Sequence, residues 1–491
     1  MKNTVRHMAF LILLCLLCFI CVYSATANVE PLSRQSAELF EKEVIAAKIT
    51  DKNQKDLTTS DPAWDSIRKQ KVSSEKPFTL AELVDMALRN NPTTRQAWET
   101  IRVTEFQKKQ VQSTLYPQAT VAATATRTKT SANQSAADVD DLSYGPSFQI
   151  TYLLFDFGGR GANIEEAAKN VVAANFQLNQ SIQDLVLNVE TAYYDLHSAD
   201  SGLKAAQTDL ANAKKVFYSA EQRFDVGLAS KLDVLQAKAN YEDALYSFES
   251  AKAALRNAKA NLAKIIGLSA DTKFEIAQPS KEIPTAITDN DISNLIEEAI
   301  MKRPDISYTR AILQAKQAAV RAANSDLLPS VSLGGSAEAN KYHYYDVHKA
   351  ENDDHTYAGY LQVNWDVFDG FYNLNKKRQT EAEAAVEYEK LIEAELQVSA
   401  DVWSSYYDFS SAVVKLRFSR AFLDTANTTY ELALESYNTG LKSILDLLDA
   451  QSKLSDARSK LIQSQRDVFV ALAQLMHSTG SLHAKERTLN E

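Results

Sequence analysis

The chain has little that bends a backbone and little that cross-links one. Its 491 residues include 13 glycines and 10 prolines, which favours long uninterrupted elements over a succession of turns. Cysteine is confined to Cys15, Cys18 and Cys21. All three fall in one apolar run, AFLILLCLLCFICVY, which starts at Ala9 behind Lys2 and Arg6 and is followed by Ala25-Thr26-Ala27. A run of this length is too short to span a bilayer, and its basic start and A-x-A ending predict a secretory signal peptide over residues 1–27. A chain cleaved there keeps no cysteine, so disulfides, thiolate metal sites and thiol nucleophiles are excluded. Cleavage before Cys21 to give a lipoprotein is the rival reading, and Ile20 stands where that route expects a small residue.

Positive charge is also scarce. The formal net charge is −10, and removal of Lys2 and Arg6 with the leader takes it to about −12, which argues against nucleic acid as a partner. Beyond the leader no apolar run reaches 18 residues, so any membrane insertion must use β-strands. Phosphate loops, H-E-x-x-H and G-x-S-x-G are missing. GGRG at 158–161 lacks the lysine and spacing of a phosphate loop and reads as a bend from strand to helix. The segment KYHYYDVHKAENDDH, 341–355, gathers His343, His348 and His355 among acids. A metal site is conceivable there, but a solvated loop is the better reading. Only five methionines occur, against a soft-metal role. The sequence therefore indicates no catalytic residue, no metal site and no cofactor.

What is present is one unit written twice. An offset of 213 pairs LFDFG at 154 with VFDGF at 367, YYDL at 193 with YYDF at 406, FDVGL at 224 with YNTGL at 437, and Gly267 with Gly480. An offset of 212 pairs NNP at 90 with KRP at 302, and LYP at 115 with LLP at 327. An internal repeat of this size means a duplicated architecture. The expected boundaries are an N-terminal extension over 28–77, a first repeat over 78–268, a linker over 269–289, a second repeat over 290–482 and a tail over 483–491. Each repeat has a helical stretch (80–114, 291–327) ending at a proline, then two short alternating segments around a polar loop. A very long helix (160–225, 371–438), a glycine turn and a further helix (231–266, 444–479) follow.

The long helices carry heptads. Ala192, Ala199, Ala206, Ala213 and Ala220 share one position, and Leu196, Leu203, Leu210, Phe217 and Phe224 another. The second copy runs Ser405, Ala412, Ser419, Ala426, Ala433 beside Phe409, Leu416, Leu423, Tyr430, Tyr437. After the first turn, Val234, Tyr241, Phe248, Leu255 and Leu262 alternate with Ala237, Ala244, Ala251 and Ala258. Sustained heptads with a small and a large edge predict close coiled-coil packing. A helix of some 66 residues reaches about 100 Å, enough to cross a wide aqueous gap.

The strand segments alternate. Phe148, Ile150, Tyr152 and Leu154 oppose Gln149 and Thr151, and Leu361, Val363, Trp365 and Val367 oppose Gln362, Asn364 and Asp366. QATVAATATRT and SVSLGGSAEA precede them. This suits strands with one face to lipid and one to water. Four strands cannot close a barrel, and an open edge in lipid leaves backbone groups unpaired, so copies must join. Two copies give eight strands and a filled interior, three give twelve and room for a channel; strand counting leaves both open.

The two turns, RFDVGLASKLDVLQAK (223–238) and SYNTGLKSILDLLDAQ (436–451), control for each other. Gly227 and Gly440 suit the left-handed position that ends a helix, with Leu228 and Leu441 as the following apolar contact. Ser230 and Ser443 read as N-caps, with Asp233 and Asp446 as their capping-box acids. Capping does not account for the differences. Asp449 replaces Gln236, Tyr437 replaces Phe224, and Lys442 replaces Ala229. Asp446 and Asp449 share a helix face, and an acidic ring built from them would be a cation-selective constriction.

Together, the tandem repeat, LLFDFGGRG and DVFDGF, KRPDI at 302–306 and the paired GL turns resemble the TolC family of outer-membrane efflux proteins, over residues 78–482. The resemblance implies an α+β membrane protein, a homotrimer in which a 12-stranded β-barrel with four strands per chain continues as an α-helical coiled-coil barrel. It implies an outer-membrane exit duct for drug efflux or type I secretion in a Gram-negative envelope. The partners it implies are outer-membrane lipid, a periplasmic adaptor protein and an inner-membrane transporter of the RND or ABC type. It places a periplasmic constriction at Asp446 and Asp449, and closing links from Tyr437 and Lys442 to Asp233. Lysine lacks arginine's bidentate fork, and Leu232 stands where the best-known member has a threonine, so the implied lock is weaker here. The class-distinct alternative is a coiled-coil envelope tether that conducts nothing.

Overall fold

The computed structural model describes residues 77–130, 139–279, 292–345 and 351–482. The expected signal peptide, the extension up to residue 76, the later part of the linker, His348 and the tail over 483–491 lie outside the described residues.

Each half of the chain has the same element order. The first comprises α1 (Leu80–Asn90), α2 (Pro92–Gln112), β1 (Gln118–Thr130), β2 (Val139–Phe155), α3 (Gly159–Asp225) and α4 (Lys231–Ile265). The second comprises α5 (Ile292–Lys302), α6 (Pro304–Ser325), β3 (Ser330–Tyr344), β4 (Glu351–Asn364), α7 (Tyr372–Asn438) and α8 (Ile444–Ser478). Both long helices have 67 residues, and both returning helices have 35.

The first helical stretch of each half is two helices rather than one. Asn91 and Arg303 adopt extended backbone, ψ 129° and 131°. The following ring clashes with a helical residue before it, while Pro92 and Pro304 fit the first position of a new helix. Arg303 is buried, donates to Asp305 and Asp401, and approaches Ser478 O, which fastens this break to α7 and the end of α8.

The four strands form one antiparallel sheet in the order β1-β2-β3-β4. The register lines up Val121, Phe148, Ala337 and Tyr357 across one face, with Ile150, Tyr152, Leu333 and Leu361 on the same side. The other face carries Thr120, Gln149, Ser336 and Ala358, then Ser147, Glu338 and Thr356. Val121, Phe148, Tyr357, Leu361 and Val363 are all exposed. Two expectations need correcting. The ladder is irregular between Leu153 and Phe155, so Phe155, not Leu154, stands opposite Val331. And β4 ends at Asn364, so Trp365 and Val367 lie beyond it; Trp365 Nε1 donates to Leu327 O (3.3 Å) at the end of α6. The 341–355 segment is likewise less loop than expected, for residues 341–344 close β3 and 351–355 open β4.

The FDFG and FDGF motifs turn strand into helix. Asp156 accepts from the backbone N of Arg160 (2.6 Å), and Asp369 accepts from that of Asn373 (2.9 Å). The two residues after each aspartate are left-handed, Phe157 and Gly158 in the first copy, Gly370 and Phe371 in the second. The order of glycine and phenylalanine is exchanged, yet the backbone is kept. A phenylalanine there is strained, by about 1–2 kcal/mol, and it is flanked by the aspartate cap and by ring contacts to Phe155 and Phe368.

The helices pack as the heptads direct. Ser405, Phe409, Ala412, Leu416, Ser419, Ala426, Tyr430 and Tyr437 of α7 are buried, as are Ala192, Leu196, Ala213 and Ala220 of α3. Phe224 departs from the scheme. It is exposed, with the Lys231 ammonium over its ring (5.3 Å). A second spacing of seven and four runs along α7 through Leu396, Trp403, Tyr407, Val414 and Phe418, and all five are exposed. Among the described residues no helix is long and apolar enough to cross a membrane.

Candidate functional site

The tips of the two hairpins bring most of the singled-out residues together. Each long helix ends in the double hydrogen bond of a Schellman turn. Leu228 N donates to Arg223 O (2.7 Å) and Gly227 N to Phe224 O (2.9 Å); Leu441 N donates to Ser436 O (2.8 Å) and Gly440 N to Tyr437 O (3.0 Å). Gly227 and Gly440 have φ of 76° and 80°, a conformation glycine takes without strain. Ser230 and Ser443 cap α4 and α8, and Asp233 and Asp446 complete both capping boxes. Leu228 and Leu441, expected to make the following apolar contact, are not buried by it. They are 70% and 80% exposed, in company with Val226, Leu232 and Leu445.

Beneath the turns lies a small apolar core. Val216, Ala220, Ala237, Ala426, Tyr430, Tyr437, Ile444, Leu447 and Leu454 pack α3, α4, α7 and α8 together. Tyr437 is buried there, and its hydroxyl has no hydrogen-bond partner among the described residues. Burial raises its pKa; the Arg223 charge opposes this and the Asp233 carboxylate adds to it. Asp233 is therefore close enough to be felt by Tyr437, but its carboxylate accepts from Ser230 N (2.8 Å) in its own cap. Lys442 is exposed and helps lower the pKa of Asp446. The larger causes of that lowering are the hydrogen bonds from the Ser443 hydroxyl and backbone.

The two acids of the expected constriction differ in their partners. Asp446 is engaged by Ser443, whose hydroxyl donates to Oδ2 (2.8 Å) and whose backbone N donates to the same oxygen (3.1 Å). Asp449 pairs with Lys453 one turn on (2.6 Å), and both side chains are mostly exposed. Lys453 was not legible as part of the site, although it too is specific to this copy, with Asn240 in its place in the other.

Arg223 was also missed. Its Nη1 donates across to Tyr437 O (2.5 Å) and lies 3.4 Å from Asn438 O. Its guanidinium sits 4.7 Å from the centroid of the Tyr437 ring. The signal was available, since Arg223 and Ser436 occupy the same place in the two turns.

Further from the tips, α3 and α8 are joined by acid–base contacts. Asp209 accepts from Ser455 (2.8 Å) and pairs with Arg458. Asp195 pairs with Arg466 (2.7 Å), and Asp184 contacts the His477 ring (2.8 Å). A sheet with an exposed apolar face, continued by helices about 100 Å long, is the build of an outer-membrane channel. The model of the outer membrane efflux protein family matches residues 83–268 and again 295–481, and the chain belongs to that family.

Relatives and solved structures agree. Protein CyaE of Bordetella pertussis is 26% identical over 82% of this chain and 84% of its own. Outer membrane protein TolC of Salmonella enteritidis is 23% identical over 83% of each chain. The CmeC outer membrane channel of Campylobacter jejuni shares the fold, with a TM-score of 0.71 at 17% identity, covering 82% of this chain and 85% of that one. The protein is thus an outer-membrane efflux channel of a transport family.

Proposed function

We propose that this chain forms the passive exit duct of a tripartite efflux pump or a type I secretion system, acting as a homotrimer. The observation that carries this reading is the sheet. Its apolar face is exposed, its opposite face is polar, and β1 and β4 are edges with one neighbour each. Unpaired edges are costly in lipid, so copies must pair β4 of one with β1 of the next. Three copies make twelve strands with an interior wide enough for water and solutes. The exposed apolar row on α7, from Leu396 to Phe418, supports a helical joint between the same copies.

In this reading the long helices carry the duct through the periplasm to an entrance at the two turns. Asp446 and Asp449 form its constriction. Tyr437 and Lys442 close it together with Asp233, supported by the burial of Tyr437 beneath the turns, with a hydroxyl that has no partner among the described residues. A periplasmic adaptor docks on the exposed tip residues Val226, Leu228, Leu232, Leu441 and Leu445. An inner-membrane RND or ABC transporter supplies the energy. The duct itself needs no cofactor and performs no reaction.

The test is direct. Outer-membrane fractions should yield a heat-stable trimer that conducts ions in planar bilayers. A monomer, or a trimer without conductance, would favour the tether.

A further inference from the structure

The geometry points to Arg223 as a further residue that holds the entrance shut, by capping the end of the neighbouring hairpin's long helix. The proposal deepens the duct reading and rests on it for its consequence, although the clamp itself is a contact within one protomer.

The last carbonyls of a helix lack intrahelical donors and carry the negative end of its dipole. In α3 a basic residue, Arg223, stands in the last turn; α7 has none in its own. Arg223 reaches across to fill that vacancy. Its Nη1–H is directed at Tyr437 O, with Asn438 O beside it, and its guanidinium carbon lies 4.7 Å from the centroid of the Tyr437 ring. One guanidinium, carried on the last turn of α3, thus binds hairpin α3–α4 to hairpin α7–α8 at the level of the turns.

The rest of the tip offers little polar resistance to separation. Among the described residues, Arg223 Nε, Gln236 Oε1, Asn240 Nδ2, Tyr437 Oη and Gln451 Oε1 are buried without a partner. Such groups favour any movement that lets water reach them. Higher up, the Asp209, Asp195 and Asp184 contacts hold α3 to α8. A swing of one hairpin away from the other would therefore break the Arg223 contact first and use the contacts above as its hinge. The clamp ends on backbone carbonyls, so it does not depend on the tyrosine hydroxyl or on Asp233.

Three variants of the full-length protein test this: Arg223→Ala, Arg223→Lys and Tyr437→Phe. Arg223→Ala should raise the open probability in planar bilayers about tenfold or more, the size of a lost charge-assisted hydrogen bond. It should do so equally in the Tyr437→Phe background, where ring and carbonyl remain. Arg223→Lys keeps the charge at the carbonyl without the guanidinium and should fall between Arg223→Ala and wild type. The heat-stable oligomer fraction should stay unchanged in all of them. Because the cleaved chain is expected to have no cysteine, spin labels on cysteines introduced at Asp225 and Thr439 read the tip separation without any current. Arg223→Ala should widen that distance. An unchanged distance overturns the clamp, as does a conductance rise that disappears in the Tyr437→Phe background. A widened distance in a protein that never conducts would leave the clamp standing and overturn the duct.

Discussion

Asp446 and Asp449 differ in what their carboxylates are free to do. Asp446 is held by Ser443, which lowers its pKa. That contribution is fully present above the ordinary carboxylate pKa and is lost as pH falls through the lowered folded value. The cap of α8 should therefore weaken only in acid below about pH 4, read as increased amide exchange in the first turn of α8. Asp449 is instead masked by Lys453. An exposed pair of this kind adds only about 0.3–0.5 kcal/mol to stability, so Lys453→Ala should leave the melting temperature nearly unchanged and increase cation selectivity, measured as a reversal-potential shift in a salt gradient. The double variant Asp446→Ala, Asp449→Ala should move selectivity the other way and relieve block by multivalent cations. Unchanged values in the double variant would remove both acids from the constriction. Tyr437→Phe with Lys442→Ala should raise conductance if those side chains help close the entrance.

At the scale of elements, a turn glycine and a glycine inside a helix make contrasting predictions. Gly440→Ala forces a Cβ into left-handed backbone (φ 80°) and should destabilise by about 1 kcal/mol. Gly202 lies within α3 with open space around its Cβ direction. There Gly202→Ala should stabilise by about 0.5–1 kcal/mol, and thermal melts of the two variants should shift in opposite senses. The long helices were legible to within a residue or so, because heptads and capping boxes are written in side chains. Read from sequence, the breaks at Asn91 and Arg303 fall inside single helical stretches, although each residue precedes a proline. The irregularity at Leu154 left no mark in an alternating strand. Arg223 escaped for a different reason. Its partners are carbonyls, present at every residue, so only its absence from the other copy could have marked it.

For the whole molecule, the question is what covers the two surfaces that one chain leaves open. In the proposed trimer, lipid covers the apolar face of the sheet and a neighbouring sheet covers each edge. A neighbouring helix covers the seam on α7 in the same reading. Replacing both Trp403 and Phe418 with glutamate puts charges on that seam without touching the core of the protomer. The heat-stable oligomer should be lost while circular dichroism keeps its helical signal. An oligomer that persists would move the joint between copies elsewhere. The family, the four strands and the order of elements could be read from sequence. The number of copies could not, because strand counting allows both eight and twelve, and closure is a property of an assembly rather than of one chain's pattern.

The equal lengths of the paired helices, 67 with 67 and 35 with 35, limit how such a molecule can change size. One residue added to α3 alone would raise its turn by about 1.5 Å and rotate its seam by about 100°. The seam would then miss α8, and Arg223 would miss the end of α7. A change of about seven residues, entered in all four helices at once, keeps every face where it was and lengthens each helix by about 10 Å. In a duct of the proposed kind the distance from sheet to tips would then change in steps of that size. Any other change in length would have to be absorbed by local over- or underwinding of the helices.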